Sequence, residues 1–156
     1  MQEVHRETGL AEELFATADR SSVPDWQAPH VAEAELYSLT GAGYTALAHH
    51  DGRHAGEAIR RLTAALELRG AAGARNATLD RISLVEAHLL DRDLGQALNA
   101  SGQALFLAEH SASRRIRKRL SELHGQLGAQ RVNPDASETM HQIRELLGKK
   151  GRQAHP

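Results

Sequence analysis

Cysteine is absent from this chain of 156 residues, which excludes disulfides and thiolate metal sites and fits a reducing compartment. Aromatic residues make up only 3%, too few for a surface that stacks nucleic-acid bases or for an aromatic ligand pocket. A net charge of -1 provides no overall attraction to nucleic acid or anionic lipid. No apolar run approaches the roughly 20 residues that span a bilayer, and the charged N-terminus lacks the apolar stretch of a signal peptide. We therefore expect a cytoplasmic protein that does not span a membrane.

What the sequence does contain is helix-forming. Alanine and leucine dominate, whereas the β-branched and aromatic runs typical of strands are missing. Apolar residues recur three and four positions apart in segment after segment, as on one face of a helix. About seven helices are predicted. The first four run through Leu10–Ala18, from near Pro24 to His50, between the Asp51-Gly52 turn and Gly70, and over about 77–90 with Asn76 as the cap. The last three begin after the Asp93/Gln96 capping box, run through Ile116–Leu127, and begin after Asn133-Pro134.

An internal repeat links these helices. Ala58 and Ala97 are 39 positions apart (97 minus 58), and so are Ala65 and Ala104 (104 minus 65), so that GEAI…AALEL and GQAL…QALFL occupy equivalent places. The segment LVEAH at 84–88 likewise returns as LSELH at 120–124. Short loops make consecutive helices pack antiparallel. The sequence therefore predicts one all-α domain over 1–148, built from stacked helical hairpins, and a disordered tail over 149–156.

Two glycines interrupt the helix that runs to His50. Gly41 and Gly43 each cost about 1 kcal/mol relative to alanine within a helix. Close approach of a neighbouring helix is the expected compensation, and a local break in the helix is the alternative.

The two segments GYTALAHHDGRHAGEAIRRLTAALEL and LVEAHLLDRDLGQALNASGQALFL resemble the tetratricopeptide repeat. Residues 24–128 contain, in this order, Pro-x-Trp, Glu-Ala-Glu-Leu, two hairpins and Ser-Arg-Arg-Ile-Arg-Lys-Arg-Leu. This order is similar to that in the C-terminal half of helix-turn-helix transcriptional regulators from actinomycetes. The resemblance implies a right-handed superhelix with a sensing or assembling role. It also implies a chain without the DNA-reading domain, since nothing before Pro24 has room for one. The residues that match the second helix of the repeat are Ala58, Leu62, Ala65, Ala97, Ser101 and Ala104.

Stacked first helices create a concave surface, which is where such repeats bind their partners. In the repeat register this surface carries both signs of charge and one apolar anchor, which suits an extended peptide or a partner helix. The predicted function is therefore a non-enzymatic protein- or peptide-binding scaffold. The predicted groove residues are His50, Ser83, Glu86, Leu90, Arg119, Glu122 and Gln126.

A basic run offers a second interpretation. Arg114, Arg115, Arg117, Lys118 and Arg119 could contact phosphates, which would make the chain a DNA-contacting regulator. The alternative is a solvated helix face with acidic neighbours. Basic side chains at a helix start oppose the helix dipole, and an acidic partner would relieve that conflict. A third hypothesis is self-association, possible as a homodimer through Leu10, Leu14 and Phe15.

The ten histidines and the polar residues carry no recognisable catalytic motif. His50 and His54 have the one-turn spacing of metal ligands, but Asp51-Gly52 breaks the helix between them, so no metal site and no cofactor are predicted. No nucleophile elbow, phosphate loop or paired-carboxylate signature occurs, and no enzymatic activity is predicted. His88 and His124 are expected to be half-buried and hydrogen-bonded, with pH sensing as the alternative. Trp26 and Tyr37 are expected to pack structurally, with ligand contact as the alternative.

Overall fold

The structure is a computed structural model that describes residues 2–18, 32–69 and 73–149. These residues form helices and connecting turns, with no strand among them. Within the described ranges, none of the helices combines the length and the apolar composition needed to cross a membrane. The helices are α1 (Gln2–Thr17), α2 (Glu33–Ala48), α3 (Ala55–Leu68), α4 (Ala74–Leu90), α5 (Leu94–Glu109), α6 (Arg114–Leu127) and α7 (Pro134–Lys149), with short 3-10 turns at Gly52–His54 and Gly128–Gln130.

Among the described residues, side chains cap the starts of the α-helices α5, α6 and α7. Asp93 accepts a hydrogen bond from the Gln96 amide at 3.0 Å, which confirms the predicted start of α5. Ser113 accepts from the amide at position 116, and Asn133 accepts from the amides at 135 and 136. The predicted start of α7 after Asn133-Pro134 is therefore also confirmed.

Other predicted boundaries differ from the structure. Asn76 was expected to cap α4, but the helix already begins at Ala74, and the Asn76 amide instead donates to Glu35 on α2 at 3.4 Å. Lys149 was assigned to the tail and is the last residue of α7. Residues 150–156, Pro24, Trp26 and Gly70 lie outside the described residues.

Helix α2 runs through both of its glycines without a break. A Cβ on Gly41 would lie 2.8 Å from Leu62 Cγ and 3.2 Å from the Leu62 backbone nitrogen. Leu62 is fully buried on α3, so the expected close approach of a neighbouring helix is found at this position. Gly43 is different, because a Cβ there would meet nothing within 4 Å.

The helices pack in consecutive pairs, α2 with α3, α4 with α5 and α6 with α7. The first helices of successive pairs also touch, α2 with α4 and α4 with α6, and α5 packs on α7. The core between them is made of small and branched apolar side chains, which lets helix axes come close. Its fully buried members include Ala58, Leu62, Ala65, Val85, Ala97, Ala104, Leu120 and Leu123.

Helix α1 makes polar contacts with α2 and α3. The almost fully buried Arg61 of α3 pairs with Glu12 of α1 at 2.6 Å and with Glu57 at 2.5 Å. His5 Nδ1 lies 2.7 Å from the hydroxyl of Tyr44. The apolar residues of α1 are less well covered, since Leu10 and Leu14 are 47% and 60% exposed.

Candidate binding groove on the first helices

One buried carboxylate joins the first helices of all three pairs. Glu86 lies on α4 with its side chain only 8% exposed. Its Oε1 accepts hydrogen bonds from Gln126 Nε2 at 2.6 Å and from His49 Nε2 at 2.7 Å, and its Oε2 accepts from Arg119 Nη2 at 2.6 Å. His49 follows α2, and both other donors lie on α6. Glu86 therefore fixes the position of α2 and α6 relative to α4.

The charge state of Glu86 follows from these partners. Burial raises the pKa of its carboxyl, but the hydrogen bonds from Gln126 and His49 and the positive charge of Arg119 outweigh burial and hold the net pKa below the usual value. Glu86 is thus ionised at neutral pH with both oxygens occupied. It organises the surface around it rather than offering a free group to a ligand.

A groove lies next to this carboxylate, with a volume of about 410 Å³. That volume falls in the ~300–1,000 Å³ range of ligand sites in proteins. Ala42 and Ala46 leave one wall without bulky side chains, and both are exposed. The groove is lined from α2 and its end by Ala42, Thr45, Ala46 and His49, from α4 by Ser83 and Glu86, and from α6 by Arg115 and Arg119.

Of the seven predicted groove residues, Ser83, Glu86 and Arg119 line this groove, and Glu122 and Gln126 lie beside it. Ser83, Glu86, Arg119 and Gln126 are linked by hydrogen bonds, with Arg119 Nη2 lying 3.4 Å from Ser83 Oγ. Glu122 accepts from Arg119 Nη1 at 3.2 Å at the edge of this cluster. The structure therefore brings five of the seven predicted residues into one connected group.

The two remaining predicted residues are placed elsewhere. Leu90 is half-buried at the C-terminal end of α4 and does not line the groove, and His50 is exposed in the turn after α2. The neighbouring His49 makes the contact instead, with its Nε2 lying 2.7 Å from Glu86 Oε1. Helical spacing from Ala42 was the sequence signal that could have identified His49.

The basic run at the start of α6 does not form one free basic face. Arg117 Nη2 donates to the carbonyl oxygen of Leu147 on α7 at 2.6 Å, and Arg119 is held by two glutamates. Arg114 and Arg115 are exposed and form no hydrogen bond or ion pair with the described residues. Only the second of these two lines the groove.

His88 and His124 are half-buried, as the repeat register predicted. The predicted side-chain hydrogen bonds are wrong for both rings among the described residues, and His88 Nδ1 and His124 Nε2 are buried without a partner there. Burial lowers the pKa of His88 and outweighs the raising effect of Asp93 and Asp91.

Tyr37 is half-buried. The described residues contain no group of three or more histidine or carboxylate side chains that could hold a metal ion.

Known proteins supply no template for this groove. No family model, curated protein or solved structure matches the chain. Its function is therefore inferred from its own side chains.

Proposed function

We propose that this chain is a cytoplasmic, non-enzymatic scaffold of the tetratricopeptide type, in which the groove binds a peptide segment of a partner protein. Its role would be the sensing or assembling part of a transcriptional regulator. The observation that carries the proposal is the convergence of α2, α4 and α6 on Glu86, which aligns three helices along one open groove.

The packing order supports the repeat architecture. In a stack of helical hairpins, each hairpin buries its apolar face against the next, and its first helix touches the first helix of the neighbouring hairpin. Contacts of this kind occur between α2 and α4 and between α4 and α6. The alanines at matched repeat positions, Ala58 with Ala97 and Ala65 with Ala104, are all fully buried.

The chemistry of the groove supports a peptide as the ligand. Exposed alanines on α2 let a backbone approach closely, and Ser83 and Arg115 line the groove with groups that can hydrogen-bond to a chain. Glu86 and Arg119 neutralise each other, so this pair adds polar groups to the groove without adding net charge. Such a surface fits an extended segment better than a compact apolar ligand, which needs an enclosed apolar pocket.

A random dodecapeptide library displayed on phage tests the proposal, with the full chain as bait and fluorescence polarisation to measure affinities. Ala46→Arg places a long charged side chain in the groove, and Thr63→Arg makes the same kind of change at an exposed site of α3. Selected peptides should lose roughly tenfold or more in affinity for the first variant only, because access to the groove is blocked. Equal binding by both variants, or no selected peptide at all, would contradict the proposal.

Self-association is a second candidate function, favoured by α1. Leu10 and Leu14 are one turn apart, so their exposed side chains lie on the same face. Burial of that face against a second copy would stabilise a dimer. Light scattering at two protein concentrations should then give a mass that rises with concentration. The mass of Leu14→Glu should stay at the monomer value. A constant monomer mass for the unmodified chain would exclude this function.

A further inference from the structure

The groove contains one positive charge that the described residues do not balance. Arg115 lies in the first turn of α6, lines the groove and is exposed. It has no hydrogen-bond or ion-pair partner among the described residues. Arg119, one turn further along, differs because Glu86 and Glu122 hold its guanidinium at 2.6 and 3.2 Å.

Helix α2, on the other side of the groove, carries an exposed apolar side chain. Leu39 is 65% exposed and precedes Ala42, Ala46 and His49 by three, seven and ten positions on α2. Residues with this spacing share one face of a helix. Leu39 therefore lies on the face of α2 from which Ala42, Ala46 and His49 line the groove.

We propose, building on the peptide-binding function, that the partner segment carries a carboxylate for Arg115 next to an apolar side chain for Leu39. A guanidinium can form two parallel hydrogen bonds with a carboxylate. Arg115 can bind a carboxylate in this way because none of the described residues occupies its guanidinium. The start of α6 adds to this preference, since an anion there also complements the helix dipole. The occupant is thus an acidic–apolar stretch of a partner protein.

Nucleic acid fits the same arginine less well. A nucleic-acid backbone is bound by several cations, but Arg119 already pairs with Glu86 and Glu122, and Arg117 donates to α7. The lining contains no phenylalanine, tyrosine or tryptophan, so His49 is the one ring there on which a base could stack.

Charge reversal with a matched control tests the inference. Arg115→Glu and Arg114→Glu change neighbouring exposed arginines in the same helical turn, but only Arg115 lines the groove. Both substitutions place an acidic residue where the helix dipole favours one, so the fold should persist, and circular dichroism checks it. Peptides selected on the unmodified chain should combine Asp or Glu with a neighbouring apolar residue, and they should bind Arg115→Glu roughly tenfold more weakly and Arg114→Glu unchanged.

A second pair of variants tests the apolar contact. Leu39→Ser removes the exposed side chain on the groove face of α2, and Leu68→Ser removes a comparably exposed leucine, 49% accessible, on α3. Affinity for the selected peptides should fall several-fold in Leu39→Ser alone, because only that leucine contacts the proposed apolar side chain.

The possible outcomes separate this inference from the function on which it rests. The selected peptides could lack acidic residues and still fail to bind Ala46→Arg. That result would overturn the acidic preference and leave peptide binding in place. Undiminished binding of acidic peptides to Arg115→Glu would do the same. Absence of any groove-dependent peptide would overturn both. A labelled DNA duplex that binds at low salt and is lost in Arg115→Glu would assign the arginine to nucleic acid instead.

Discussion

At the residue scale, the charged side chains that this chain buries are also the ones that join its helices. Arg61, Arg69 and Glu86 have side chains only 6%, 7% and 8% exposed, and each is paired with groups on other helices. A buried charge without a partner is strongly unfavourable. Each of these residues therefore stabilises one arrangement of its helices over arrangements that would separate the partners.

Replacement of Glu86 tests this role. We expect Glu86→Ala to lower the free energy of unfolding by about 2–3 kcal/mol, because three donors lose their acceptor and Arg119 keeps Glu122 as its only carboxylate partner. Glu122→Ala is the control, since this side chain is 41% exposed and its loss should cost less than about 1 kcal/mol. Urea denaturation of both variants measures the difference, and equal losses would show that the buried carboxylate has no special role.

A pH dependence follows from His88. Its pKa is lowered in the folded protein, mainly by burial, so the unfolded chain takes up the proton first as the pH falls. Above the unfolded-state pKa of about 6.5, His88 is neutral in both states and the protein keeps its full stability. The free energy of unfolding falls as the pH drops from there toward the folded-state pKa. His88→Leu should therefore make the loss of stability between neutral pH and mild acid smaller. Denaturation at several pH values measures it, and parallel curves for variant and parent would contradict the assignment.

A residue's contacts could be predicted from the sequence when its partners are close to it along the chain or related by the repeat register. Helical register was enough to place Ser83, Glu86 and Arg119 on one surface. The same register selects His50, four positions after Ala46, but α2 ends at Ala48 and His49 makes the contact with Glu86. The pairing of Arg61 with Glu12 could not be predicted, because the two residues come from different helices and are 49 positions apart.

At the scale of the element, helix ends were predictable where a side chain makes the cap. Asp93 and Asn133 both do so, and the predicted starts of α5 and α7 are correct. Helix α4 starts at Ala74 after Gly73, which has no side chain to act as a cap. Asn76, a strong capping residue by type, therefore gave a misleading signal, since its side chain bonds to Glu35 of another helix.

The two glycines of α2 provide a matched pair of predictions. Gly43→Ala should raise stability by roughly 0.5–1 kcal/mol, because the new methyl group meets open space and alanine favours the helix. Gly41→Ala should lower it, because overpacking against the buried Leu62 costs about 1–3 kcal/mol and outweighs the gain in helix propensity. Thermal and urea unfolding measure both, and the same sign for both variants would contradict the close packing of α2 on α3.

At the scale of the whole molecule, three helices from separate parts of the sequence share one surface. Composition and periodicity predicted an all-α chain and the number of helices, because these depend on local preferences. The groove itself depends on how far apart α2 and α6 are held, and that distance is set by the contacts of Glu86 with both sides. A repeat pattern alone does not specify such long-range contacts.

The central claim is that the first helices form the binding surface. The most direct measurement is the change in backbone amide chemical shifts when a library-selected peptide is added to the ¹⁵N-labelled chain. We expect the largest changes at Ala42, Ala46, Ser83 and Arg115, with α3 and α5 little affected. Changes confined to α3, α5 or α7, with α2, α4 and α6 unaltered, would contradict the claim.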